Sequence, residues 1–100
     1  MALIKPLTFP QLGKSFDYWR IQHVVFDRSN NRLAVHLWGR QGPTGEPGKV
    51  LRWEIPVSAL PDPNAVSLEQ AYGLVRTHAP LDEHPWQIYT SSPLADASDG

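Results

Sequence analysis

One hundred residues can build one modest core, which sets the limit at a single domain. With 41% hydrophobic and 19% charged residues and a net charge of −1, the composition excludes the highly charged, core-poor makeup of a disordered chain, and it offers no overall electrostatic pull on nucleic acid. The absence of cysteine excludes disulfides and thiolate chemistry and suits a reducing compartment.

In chain order, Ala2 to Phe9 carries Leu3, Ile4, Leu7 and Phe9 and predicts a short strand. Pro6 cannot donate to a ladder, which points to an edge position. Gln11 to Ser15, with Gly13, reads as a turn. Phe16 to Asp27 is rich in aromatic and β-branched residues and free of Gly and Pro, so it predicts a long strand. Asp27 to Asn31 has turn chemistry, because Asp and Asn bond their own backbone and tolerate left-handed geometry. Arg32 to Trp38 alternates, with Leu33, Val35 and Leu37 on one face and Ala34, His36 and Trp38 on the other. The two strands form a predicted β-hairpin.

Between residues 39 and 48, glycine recurs every third position (Gly39, Gly42, Gly45, Gly48). This is the period that a collagen triple helix requires, although a Gly/Pro loop is the simpler reading. In either case the segment is expected to be exposed and extended. Lys49 to Val57 predicts a further strand, with Leu51, Trp53 and Ile55 on one face and Val50, Arg52 and Glu54 on the other. Pro61 and Pro63 stiffen the connector that follows.

Ser67 and Gln70 match a capping box, and Leu68, Ala71, Tyr72 and Val75 make one apolar stripe, so a helix is predicted and ends by Pro80. Trp86 to Tyr89 reads as a last short strand or extended segment. The expected organisation is one β-rich domain over residues 1–90 and a polar, mobile tail over 91–100. The fold class is mainly β with one helix (α+β): a small antiparallel β-sandwich or barrel of four to five strands with one packed helix.

Charge is unevenly spread. Through residue 78 there are nine basic and six acidic side chains, and beyond it four acidic and none basic. The acidic end could dock a basic neighbour or simply aid solubility. No signal peptide is evident in the opening MALIKPLTF, and no apolar run approaches the roughly 20 residues of a membrane span, so a soluble protein is expected.

Histidine is the most usual catalytic and metal-binding side chain. A turn centred between Ser29 and Asn30 places His23 across from His36, near enough to share a metal, but no third ligand follows a recognised spacing, and His78 and His84 sit in other elements. The carboxylates Asp17, Asp27, Asp82 and Glu83 fall in turns and the tail rather than around a pocket. No nucleophile elbow or phosphate-cradling loop is present. The chain is therefore expected to be non-enzymatic and without a cofactor.

Four Trp, three Tyr and three Phe point instead to contact. A core this small cannot bury every indole, so at least one of Trp19, Trp38, Trp53 and Trp86 should lie at the surface, where Trp is enriched in interface hot spots. The candidate contact residues are Trp38, Arg40, Pro43, Glu46, Trp53, Trp86 and Tyr89. A stand-alone module for single-stranded nucleic acid or carbohydrate is the alternative, since Arg20, Arg32, Arg40 and Arg52 intersperse with Trp residues. The slight net acidity weighs against nucleic acid, and alternation separates Arg52 from Trp53.

Three stretches carry a family resemblance: the start Met1-Ala-Leu-Ile-Lys-Pro-Leu-Thr-Phe9, the strand core Tyr18-Trp-Arg-Ile21 and the helix Ser67-Leu-Glu-Gln-Ala-Tyr-Gly-Leu-Val-Arg76. They resemble the short N-terminal strand, the Tyr-x-Arg-Ile strand and the Ala-Tyr helix of small tailed-phage tail and baseplate accessory proteins. The resemblance implies a structural role at the tail tip, baseplate or fibre-attachment region. It also implies several copies in a ring or trimer against other tail proteins, in a virion assembled in the host cytoplasm. The 39–48 loop and the prolines at 61, 63 and 85 depart from that pattern.

Overall fold

A computed structural model describes residues 2–62, 64–83 and 86–100. The connector reading of Pro63, the departure noted at Pro85 and the ligand test of His84 lie outside the described residues. Five strands form one antiparallel sheet: β1 (Leu3–Phe9), β2 (Lys14–Asp27), β3 (Arg32–Arg40), β4 (Lys49–Pro56) and β5 (Ser98–Asp99), in the order β4-β3-β2-β1-β5. A 3-10 turn (Val57–Ala59) and the helix α1 (Leu68–Thr77) separate β4 from β5. The chain is thus mainly β with one helix, as the sequence predicts. All the strands share one sheet, so the layer opposing it is the helix and the C-terminal segment rather than a second sheet.

The β2–β3 hairpin forms where the turn chemistry places it. Asp27 Oδ1 accepts from the backbone N–H groups of Ser29 at 3.0 Å and Asn30 at 3.4 Å, and Asn31 takes the left-handed φ of 51° that closes the turn. Beyond it the register pairs Val24 with Val35 and His23 with His36, and then shifts so that Ile21 meets Leu37. The odd residue, Gln22, is a bulge, which bends the long strand and changes the parity of its faces. β1 is similarly interrupted between Ile4 and Leu7, around Pro6. It is not a free edge over its first residues, because β5 pairs with Leu3 and Ile4.

Alternation decides the core. Trp19, Leu33, Val35, Leu37, Leu51, Trp53 and Ile55 all point inward and are buried. Ala71, Tyr72 and Val75 of α1 cover them. Each large apolar side chain so buried contributes about 1.5–3 kcal/mol. Both inner indoles satisfy their N–H: Trp19 Nε1 donates to the Lys5 carbonyl at 3.0 Å and Trp53 Nε1 to the His78 carbonyl at 2.7 Å. The Tyr72 hydroxyl accepts from the Ile21 backbone N–H at 3.0 Å, tying the helix to β2 beyond the point where β1 stops pairing. The capping box is formed, with Ser67 and Gln70 each bonding the other's backbone. Leu68, by contrast, is exposed and does not share the helix's buried face.

The expectation of a mobile tail over 91–100 is corrected by the structure. Leu94 is fully buried in the core cluster, and Ala97 joins it. Ser92 Oγ donates to the Val75 carbonyl, Arg76 pairs with Asp99 at 2.7 Å and Lys5 with Asp96 at 2.8 Å. Ser92 and Ala97 are buried, and a Cβ at Gly100 would lie 2.7 Å from the Ile4 side chain, while most of the other small and polar residues here are exposed.

The 39–48 segment is a closed loop rather than an extended one. The Gly48 N–H donates to the Gly39 carbonyl at 3.0 Å, the Gly42 N–H to Asp17 Oδ1 at 2.9 Å, and Gln41 Nε2 to the Ser15 carbonyl at 3.1 Å. Its glycines serve separate local needs. A Cβ at Gly39 would lie 2.6 Å from the Trp19 ring, and Gly42 takes a φ of +80°. The three-residue period does not build a triple helix here.

Candidate docking surface

Pairing register sorts the outer side chains of β2, β3 and β4 into rows, since directly opposed residues project on the same face. The rows are Tyr18–Arg40, Arg20–Trp38–Val50, His23–His36–Arg52, Val25–Ala34–Glu54 and Asp27–Arg32–Pro56. Arg20, His23, Val25, Arg32, Arg52 and Glu54 are exposed and the others half-buried, so the helix does not cover this face. Trp38, predicted as a contact residue, therefore stands near the middle of an open face, and Arg40 sits at its end with a buried Nε that has no hydrogen-bond partner.

A groove of about 740 Å³ borders this face, lined among others by Leu12, Trp38, Val50, Arg52, Leu81 and Glu83. Two local features shape it. Leu12 projects from the β1–β2 turn, which is closed by its own N–H on the Phe9 carbonyl at 2.9 Å. Leu81 donates its N–H to the Arg52 carbonyl at 2.8 Å, so the chain after α1 runs along the outer edge of β4. That segment is fixed by an ion pair between Lys49 and Glu83, both largely buried, with Lys49 Nζ 4.9 Å from the centre of the Phe9 ring. It then turns tightly, Glu83 bridging to Gln87 by the Gln87 N–H on the Glu83 carbonyl at 3.0 Å and the reverse bond at 2.8 Å. Among the described residues no strand forms over Trp86 to Tyr89.

This turn presents apolar surface to solvent. Trp86 is 71% exposed and Ile88 63%, and Leu81 and Leu12 are also exposed. The expectation that at least one indole lies outside is met by Trp86. Tyr89 points the other way and packs on the core, with its backbone N–H on Asp82 Oδ1 at 2.8 Å. Burial, and then the nearby Glu83 carboxylate, push its hydroxyl well above the usual tyrosine range.

Trp53 is a correction. It was a contact candidate, but β4 alternation carries it to the core side with Leu51 and Ile55, where nothing of it reaches the surface. Pro43 and Glu46 are exposed on the 39–48 loop, away from the 86–88 turn in sequence, and Glu46 lines a smaller cavity with Lys14, Phe16 and Gln41 that shares Leu12, Pro47 and Gly48 with the groove. His23 and His36 do meet across the hairpin, with ring centres 5.8 Å apart and edge to face. In the position across β3–β4 where a third ligand could stand, the register places Arg52, and among the described residues no group of three or more metal-ligating side chains gathers. Burial, Arg52 and His23 in that order hold the His36 pKa below the ordinary value.

Leu12, Val50, Leu81 and Ile88 were missed by the sequence reading. An exposed Leu in a turn or a Pro-flanked coil looks like any other loop residue until the fold gathers several of them, and only the Pro-bounded Trp86 carried a signal. Among the described residues no helix is long and apolar enough to cross a membrane. Neither a protein-family model, nor a curated protein, nor a solved structure matches this chain.

Proposed function

We propose that this chain is a structural assembly protein of a tailed-phage virion, seated at the tail tip, baseplate or fibre-attachment region and acting through protein–protein contact. The observation that carries the reading is the exposure of Trp86 and Ile88, large apolar side chains in the segment that follows Leu81, which itself lines the groove with Leu12. A Trp so exposed is a candidate hot spot, and apolar residues gathered at a groove mark contact sites on soluble proteins. The resemblance of the N-terminal strand, the Tyr18–Ile21 strand and the α1 helix to tail accessory proteins supplies the setting. Copies arranged in a ring or trimer would each offer these side chains to a neighbouring tail protein.

The test is incorporation. A Trp86→Ala/Ile88→Ala double variant should melt close to the wild type, because neither side chain packs in the core, and should be lost from purified tail particles. Incorporation equal to wild type, or absence of the wild-type chain from the tail fraction, contradicts the proposal.

A further inference from the structure

Arg20, Arg40 and Arg52 share the outer face of the sheet with Trp38 and Tyr18, and the acids of that face, Glu54 and Asp27, stand in the two rows nearest the β2–β3 turn. Among the described residues the ion pairs are Lys5–Asp96, Lys49–Glu83 and Arg76–Asp99, so none of these three guanidinium groups has an acidic partner. A chain of net charge −1 has therefore concentrated unpaired positive charge on one face. Arg40 adds a second, independent sign: its Nε is buried and without a hydrogen-bond partner, an arrangement that costs free energy unless an acceptor arrives. Arg20 lies directly across from Trp38 in the register, while Arg40 and Arg52 stand in the two adjoining rows, one on each side of it.

We infer that this face binds single-stranded nucleic acid, with Trp38 stacking on a base and Arg20, Arg40 and Arg52 holding the phosphates on either side. The chemistry selects that ligand from other anions. An acidic peptide would satisfy the arginines but leave the aromatic centre without a partner. A duplex would offer phosphates but keep its base faces stacked inside. An unpaired strand supplies both, and stacking on an aromatic platform between basic residues is the general mode of such binding. Asp82 and Glu83 border the face beyond Val50, and Glu83 is already neutralised by Lys49, so the strand follows the rows that run from Arg40 to Arg52. The surface shares Trp38 and Arg52 with the groove of the proposed docking site but does not include Trp86 or Ile88, and the inference does not depend on the assembly role.

Fluorescence anisotropy of a fluorescein-labelled oligodeoxythymidylate, titrated with the full chain at low salt, tests it. Binding is expected, with the logarithm of affinity falling against the logarithm of salt with a slope of about −2 for three phosphate contacts. Trp38→Leu should weaken binding about 5- to 150-fold, the loss of one stacked base. Arg20→Glu and Arg52→Glu should each abolish most of it, Arg52→Lys should retain part, and Trp86→Ala should leave it unchanged. Circular dichroism and melting of each variant confirm that the fold persists. No anisotropy change at the lowest salt, indifference to the Arg→Glu variants, equal affinity for duplex, or displacement by polyglutamate as readily as by unlabelled oligonucleotide would each overturn the inference, the last by assigning the face to an acidic protein.

Discussion

Gly39 stands beneath the buried indole of Trp19, and a side chain there has nowhere to go: the nearest ring atoms would be 2.6 Å away, and Trp19 is fixed by its bond to the Lys5 carbonyl. Gly39→Ala should destabilise the fold by about 1–3 kcal/mol, the usual cost of overpacking, read as a lower denaturant midpoint with an unchanged slope. Tyr89 offers a titration test. Its hydroxyl holds its proton more tightly in the folded chain than in the unfolded one, where the ordinary value of about 10 applies. As the pH rises past that value, the unfolded state loses a proton that the folded state keeps, so stability present below it is lost above it. Burial raises Tyr72 in the same direction. Tyr89→Phe should therefore make the alkaline loss of stability shallower, measured as urea midpoints from about pH 9 to about pH 11; an unchanged slope would show that Tyr89 titrates normally. At this scale the sequence was legible where burial follows from alternation, as for Leu33, Val35 and Leu37. It misled at Trp53 because an indole was weighted as a contact residue, although its own strand's pattern placed it with the core.

Among elements, the hairpin and the helix were readable because their signals are local: Asp27 bonding its own turn, and Ser67 and Gln70 bonding each other's backbone. The C-terminal segment was not, since its order comes from distant partners on β1 and α1. Nothing in Ser91 to Gly100 itself announces that Leu94 fills the core or that Ser98 and Asp99 add a strand beside Leu3 and Ile4. The bulge at Gln22 was equally hidden, because only the shifted register reveals it. The docked tail makes a direct prediction. Leu94→Ala should cost about 2–5 kcal/mol, as for a large core residue, read by denaturant unfolding. A change within a few tenths of a kcal/mol would mean that the tail is loosely held.

At the scale of the whole molecule, one face of a single sheet is spent on the core, and the other, together with the turn after residue 81, is left open. That division explains how four indoles are accommodated: Trp19 and Trp53 inside, Trp38 half-buried on the outer face, Trp86 in solvent. The composition foretold an outside indole. It could not foretell that Leu12, from the first turn, and Leu81, from the last third of the chain, would flank one groove, because their meeting depends on the chain after α1 running along the edge of β4. The proposed role makes Trp86 and Ile88 a surface to be covered by another protein of the tail. Hydroxyl-radical footprinting read by mass spectrometry tests it residue by residue in the free chain and in purified tail particles. Trp86 and Ile88 should oxidise readily in the free chain and be protected in the particle, with Trp19 and Trp53 protected in both; equal oxidation of Trp86 in the two states would contradict the account.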